Sequence, residues 1–279
     1  DWLLKAGAKV MNLLTKGSLN HLVHQLKKTQ EEHFEDIQKS VEYAQENGIE
    51  VNVYLEDWSN GMRNSQEYTL ALVHFLTTLP VKRIMLPDTL GLLSPEETKV
   101  FFILICSKFP DSHFDFHAHN DYDLSVANVM EAIMYGATGI HTTINGLGER
   151  AGNAPLESVI AVIKDFTNLQ INVQEQKIYR VSKLVEQFSG QHIPANKPVV
   201  GENVFTQTAG IHADGDNKKN LYFNDLLPER FGRQRKYALG KTSGKANILK
   251  NLEELGISLE KEELSKVTQR IIELGDKKE

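Results

Sequence analysis

The chain has 279 residues, 24% of them charged, with 37 acidic against 31 basic side chains and a formal net charge of −6. That length suits one large domain or one large and one small, and the composition is that of an ordinary globular enzyme. The acidic balance argues against a nucleic-acid partner, which would call for a basic patch. The single Cys106 excludes an internal disulfide, and its apolar run, residues 101–106, is too short to cross a bilayer. With no signal peptide in view, a reducing cytoplasm and no membrane partner are expected.

The first eight residues, Asp1-Trp2-Leu3-Leu4-Lys5-Ala6-Gly7-Ala8, lack an initiator Met and read as the tail of a helix closing on Gly7. The chain is therefore expected to begin in mid-domain. Residues 9–14 alternate weakly as a strand and end in a loop at 15–18, where Ser18 can cap a helix over 19–47. In the strand 49–57, Val51, Val53 and Leu55 share one face; Asn52, Tyr54 and Glu56 share the other, with a carboxylate at its C-terminal end. Asn64 or Ser65 opens a helix through Leu79. A strand over 81–86 runs into Pro87-Asp88-Thr89-Leu90-Gly91. Ser94-Pro95-Glu96-Glu97 is a helix start: an N-cap, proline at the first position, then acids in the first turn. The strand ending in His117-Ala118-His119 follows. A helix over 124–135 closes on Gly136, a strand over 139–144 leads into a glycine-rich loop, and a helix covers 155–169.

Strands alternating with helices indicate a parallel α/β fold. Polar groups gather at nearly every strand's C-terminal end instead of at one switch point, which is the pattern of a TIM (β/α)8 barrel. Five units do not close such a barrel, so the chain reads as its last five βα units, with about three N-terminal units absent. After Asn172 the pattern changes to a small, mainly helical C-terminal appendage. The expected divisions are a partial barrel over 1–172, a helix and linker over 173–200, and C-terminal subdomains over 201–279. Within the last, Gly240-Lys241-Thr242-Ser243-Gly244-Lys245 has phosphate-loop residue types at the wrong spacing, and reads as a turn and helix start.

On the His strand, Phe114, Phe116 and Ala118 face one way; His113, Asp115, His117 and His119 face the other. Two imidazoles at His-x-His spacing on a strand end point to a metal. Asn153 is the best third ligand, because the glycines before it permit close backbone approach. No carboxylate in the chain presents itself as the fourth. Two imidazoles with oxygen ligands and open positions fit a Lewis acid that chelates an α-keto acid. Zn2+, Mn2+ and Mg2+ all stay open, with the imidazoles favouring the first two.

Four motifs in order carry a resemblance: Leu86-Pro87-Asp88-Thr89-Leu90-Gly91, His117-Ala118-His119-Asn120-Asp121, the stretch from Thr143 through Asn145-Gly146-Leu147-Gly148-Glu149-Arg150-Ala151-Gly152-Asn153, and Ala209-Gly210-Ile211-His212-Ala213-Asp214-Gly215. Together they resemble the α-isopropylmalate, homocitrate and citramalate synthase family, metal-dependent barrel enzymes that condense acetyl-CoA with an α-keto acid. The stretch from Tyr54 to Gly61 is most similar to the citramalate-forming members. The resemblance implies an acyltransferase making (R)-citramalate from pyruvate in isoleucine biosynthesis, with 2-isopropylmalate or homocitrate synthesis as the alternative within the family and a metal-dependent aldolase or lyase outside it. It assigns His117, His119 and Asn153 to the metal, Thr89 to the keto-acid carboxylate, and Glu56 to orienting substrate at the reacting carbon. His212 becomes the base for the acetyl-CoA methyl, with Asp214 and Tyr222 nearby, on an appendage that reaches the partner's site in a homodimer. Tyr54 and Leu14 would leave room for only a methyl in the keto-acid pocket, where relatives taking longer acids carry a small residue at the Tyr54 position; Tyr54 as a plain barrel filler is the other reading.

Two departures stand out. The family's first-strand Arg-Asp/Glu pair is missing, so the 279-residue chain alone is expected to show negligible turnover and poor metal retention, as a fragment or regulatory paralogue would. Asp123 stands where relatives commonly carry Gly, a local loop difference.

Overall fold

The computed structural model describes residues 2–219 and 221–277. They form two compact units, one ending at Ile163 and the other beginning at Lys164. The first is built on five parallel strands in chain order: β1 (Val10–Lys16), β2 (Glu50–Glu56), β3 (Val81–Asp88), β4 (Phe114–Ala118) and β5 (Gly139–His141). Helices lie between successive strands, among them Gln30–Glu46, Gln66–Thr77, Pro95–Lys108 and Ser125–Met134. Sequential parallel strands joined by helices make the wall of a TIM barrel, as the alternation in the sequence implies.

Side-chain alternation gives this wall two unlike faces. Val51, Val53 and Leu55 of β2, Ile84 and Leu86 of β3, and Phe114, Phe116 and Ala118 of β4 are buried in one continuous core with the helices. Trp58 stands edge-on to Phe101, Phe102 and Phe116, with ring centroids 5.8–6.5 Å apart. Burial of each such side chain is worth about 1.5–3 kcal/mol, which holds the helical layer against the sheet. The opposite face is polar. Register aligns Leu14, Tyr54, Met85, Asp115 and Gly139 in one row across the five strands, and Pro87, His117 and His141 in the next.

Several boundaries differ from those the sequence suggests. β1 continues through Thr15 and Lys16: the Thr15 hydroxyl donates to the Tyr54 carbonyl (2.9 Å), and Lys16 pairs with Glu56 across the sheet. The helix expected over 19–47 is broken. A π-helical turn, Leu22–Leu26, ends at Lys27 in the left-handed region (φ 57°), and a new helix, Gln30–Glu46, begins. Its start is a capping box, Thr29 and Glu32 each accepting the other's backbone N–H; satisfying these orphan donors favours a new helix start over continuation. A further helix, Trp58–Asn64, precedes Ser65. β5 stops at His141, and Ile144–Gly146 is a 3-10 turn with Asn145 at φ 62°. The Ser94 start forms as read, with Glu97 completing its box. Asp123 lies at φ 59°, a conformation natural to Gly and tolerated by Asp, and its carboxylate accepts from Asn120 Nδ2 (3.1 Å).

The second unit holds the helices Ile178–Ser189, Gly210–Asn217, Lys245–Glu254 and Lys261–Asp276, and a short parallel pair, β6 (Thr206–Gln207) and β7 (Lys236–Tyr237). Arg230 bridges Asp165 and Glu175, both at 2.8 Å. Arg233 donates to the carbonyls of Val199, Gly201 and Glu202 while lying over Tyr179 and Phe205. The Gly240–Ser243 segment is a turn closed by Ser243 on the Gly240 N–H (2.8 Å), before the helix at Lys245. Among the described residues, no helix is long and apolar enough to cross a membrane.

His33 gives a test of the core. It is 4% exposed, and its Nδ1 lies 3.0 Å from the Tyr68 hydroxyl, which donates to the Lys16 carbonyl. Burial pushes its pKa down to about 4. The folded protein therefore holds this imidazole neutral, while the unfolded chain protonates it below its ordinary value of 6.5. Its contribution is present above pH 6.5 and lost as pH falls towards 4, at up to about 1.4 kcal/mol per pH unit. Denaturant unfolding of His33→Gln between pH 7 and 4.5 is expected to show a shallower loss of stability than the parent; parallel curves would show that His33 does not titrate in this window.

Candidate active site

His117 and His119 are set by β4 and its continuation, and their Nε2 atoms lie 3.4 Å apart. Asn153 reaches them through backbone pairing. After β5 the chain turns back so that the Ala154 N–H donates to the Ala118 carbonyl (3.0 Å) and the Asn120 N–H to the Gly152 carbonyl (3.0 Å), forming an antiparallel bridge between His119 and Asn153. Glycine is required here. A side chain on Gly148 would strike the Asn153 amide, and one on Gly152 (φ +86°) would strike the Gly146 carbonyl. Asn153 Nδ2 donates to the Leu147 carbonyl (3.2 Å), which aims the amide and leaves Oδ1 buried with no hydrogen-bond partner. His117 Nδ1 and His119 Nδ1 are likewise buried and unpartnered.

The orphaned Asn153 Oδ1 asks for a ligand, whereas on the histidines it is the Nε2 pair, not the orphaned Nδ1 atoms, that lies close together. Two imidazoles on a common divalent ion, each about 2.0–2.1 Å from it, place their nitrogens near the separation found here. Burial, then the neighbouring His119 and His141, push His117 down to about 4; burial and the Arg150 charge lower His119. Both rings are therefore neutral near pH 7, as a metal requires. Among the described residues, no group of three or more His, Cys, Asp or Glu side chains is placed to hold a metal. The donor set brought together is thus two imidazoles and an amide oxygen, which fits a metal as a partial shell.

The other candidate residues surround this set. Thr89 Oγ accepts the Asp57 backbone N–H (2.8 Å), which leaves its own proton free to donate. Glu56 is tied to Lys16, which is 7% exposed. Tyr54 stands edge-on to His117, ring centroids 5.6 Å apart, beside Leu14 in register. Leu14 is 59% exposed, so it is no core filler.

Three features were not singled out from the sequence. Arg150 donates through Nε and Nη2 to Asp121 (2.8 and 3.0 Å) and to the Thr89 carbonyl (2.8 Å), tying together the loops after β3, β4 and β5. Asp57, 1% exposed, accepts from Ser18 and Asn60. Asp115 accepts from His113 and His141. The alternation of β4 does place Asp115 on the His117 face; its partnership with His141 depends on strand pairing, which no local pattern announces.

In the second unit, His212 Nδ1 lies 3.0 Å from Gln207 Oε1, and its ring meets Tyr222 at 4.3 Å. Gly215 makes room, since a side chain there would collide with the Tyr222 ring. Asp214, on the same helix, is paired with Lys218 at 2.6 Å. The structure thus brings His212 and Tyr222 together and turns Asp214 to a lysine.

A family model described as HMGL-like matches residues 3–185, and one described as homocitrate synthase post-HMGL domain-like matches residues 199–279. The chain is 36% identical over 257 residues to a probable 2-isopropylmalate synthase of Methanopyrus kandleri, covering 92% of this chain and 51% of that one. It is 34% identical over 276 residues to the (R)-citramalate synthase of Methanocaldococcus jannaschii, covering 99% and 55%. It therefore spans about half the length of these curated relatives. Among solved structures it is similar to the HMG-CoA lyase of Bacillus subtilis, with a TM-score of 0.61, 20% identity, and coverage of 68% of this chain and 67% of that one, a likeness of fold.

The Arg150 clasp can be tested directly. Arg150→Ala is expected to cost only about 1 kcal/mol of global stability, because the pair is partly solvated, yet to speed hydrogen exchange at the Gly91 and Asp123 amides. Unchanged exchange there would show that the loops hold without it.

Proposed function

We propose, since the chain belongs to the HMGL-like family and resembles its 2-isopropylmalate, (R)-citramalate and homocitrate synthases, that the protein condenses acetyl-CoA with pyruvate to give (R)-citramalate and CoA. The observation that carries this choice is Tyr54. Its ring projects beside His117, flanked in register by Leu14 and Met85, and so crowds the space where a keto acid's alkyl end would lie. A pocket closed by a phenol ring excludes longer chains, each methylene being worth about 1–3 kcal/mol.

His117, His119 and Asn153 would hold a divalent metal, Zn2+ or Mn2+ by ligand type, with Mg2+ as the third candidate. When bound, it supplies Lewis-acid polarisation of the keto carbonyl. Around it, the free Thr89 O–H donates to the keto-acid carboxylate, and Glu56, held by Lys16, orients the substrate at the reacting carbon. Proton removal from the acetyl-CoA methyl falls to His212. Its Nδ1 is engaged by Gln207, which leaves Nε2 as the working nitrogen, and Tyr222 packs on the ring. The family resemblance sends this unit to the site of a second copy, in a homodimer. The similarity to a probable 2-isopropylmalate synthase favours ketoisovalerate as the second reading.

Two measurements check the assignment. In the native protein, Tyr54→Ser is expected to raise kcat/KM for ketoisovalerate relative to pyruvate by at least about tenfold; no gain would remove the basis for choosing pyruvate. His117→Ala is expected to weaken Mn2+ or Zn2+ binding, followed by calorimetry, by about a hundredfold or more, and equal affinity would dissociate the His pair from the metal.

A further inference from the structure

On the polar face of the sheet, three side chains from three strands form a hydrogen-bonded file. Asp115 of β4 accepts from His141 Nε2 of β5 (3.2 Å), and His141 Nδ1 lies 3.3 Å from the Tyr54 hydroxyl of β2. Asp115 is 1% exposed and anchored from its other side by His113 Nε2 (2.8 Å), with Arg83 at 3.5 Å. It sits opposite Gly139 in the β4–β5 register, and any side chain at 139 would occupy the place of its carboxylate. The glycine therefore makes room for the acid.

The chemistry of the file fixes its direction. A carboxylate only accepts, so the His141 nitrogen facing it must carry the proton. In a neutral imidazole the other nitrogen then accepts, and the group facing it is the Tyr54 O–H. A phenol O–H is the donor available to that nitrogen. With its hydroxyl held at one end and its ring set against His117 and His141, at centroid distances of 5.6 and 5.8 Å, Tyr54 has a fixed orientation.

We propose that Asp115, acting through His141, is the positioning residue that holds Tyr54 as the wall of the keto-acid pocket, so that selectivity for a short keto acid is set in part by a carboxylate that never touches the substrate. This rests on the pocket assigned to Tyr54 above. The consequence is that selectivity can be lost without altering Tyr54, by removing Asp115 or by filling the space at Gly139.

The test has two readouts. Long-range 1H–15N NMR reports which His141 nitrogen carries the proton, and needs no substrate. The parent protein and Tyr54→Phe are expected to show His141 as the single Nε2–H tautomer; Asp115→Ala and Gly139→Ala, which remove the carboxylate by independent routes, are expected to give a tautomer mixture. An Nδ1–H tautomer in the parent, or an unaltered tautomer in both carboxylate variants, overturns the file. The second readout is the ratio of kcat/KM for pyruvate over 2-ketobutyrate in the native protein. It is expected to fall about tenfold in Asp115→Ala and Gly139→Ala, with a smaller change in kcat on pyruvate. If Tyr54→Ser lowers this ratio and neither carboxylate variant does, the positioning role is wrong while the pocket stands. If Tyr54→Ser also leaves it unmoved, the pocket assignment itself fails, and the positioning role with it. Should Asp115→Ala not fold, Gly139→Ala carries both readouts.

Discussion

The candidate site exists because the chain beyond β5 returns to hydrogen-bond the end of β4. Ala118 and Ala154, Asn120 and Gly152 pair through their backbones, and this places Asn153 beside His119 across 34 residues of sequence. Everything else near the metal-type donors is arranged around that return. Glycines at 148 and 152 permit the approach, Leu147 aims the Asn153 amide, and Arg150 fastens the same loop to Asp121 and Thr89. A backbone pairing of this kind is stiff and costs no side-chain entropy to maintain, which suits a site whose donor atoms must stay converged.

The sheet serves two purposes by showing different chemistry on its two faces. Valines, leucines and phenylalanines on one face anchor the helices, with Trp58 at the centre of an aromatic cluster. On the other face, polar groups meet: Lys16 pairs with Glu56 across strands, and Asp115 meets Arg83 and His141 of the neighbouring strands and His113 just before its own. Burial alone would raise the Asp115 carboxyl, but hydrogen bonds from His141 and His113 outweigh it and hold the group below its ordinary value. Burial, as the largest cause, holds the imidazoles of His117 and His119 below their ordinary value, so both are neutral near pH 7. Neighbouring histidines thus take different parts, two as candidate ligands and one as a link between an acid and a phenol.

The sequence by itself determined the α/β alternation, the two faces of β2 and β4, the Ser94 helix start and the His-x-His pair, because each follows from local periodicity or capping chemistry over a few residues. It also marked Asn153, through the glycines that precede it. It misplaced the end of β1 and ran one helix across residues 27–29. Lys16 is a polar residue beside a glycine that becomes a strand residue only when Glu56 pairs with it, and the Thr29 capping box sits inside a stretch whose helical pattern otherwise continues. Only the tertiary structure decided that Asp115 belongs with His141, that His141 meets Tyr54, and that Gly139 is small to admit a carboxylate. Those relations are set by register between strands far apart in sequence, and register is fixed by the packing of the whole sheet and by no single segment.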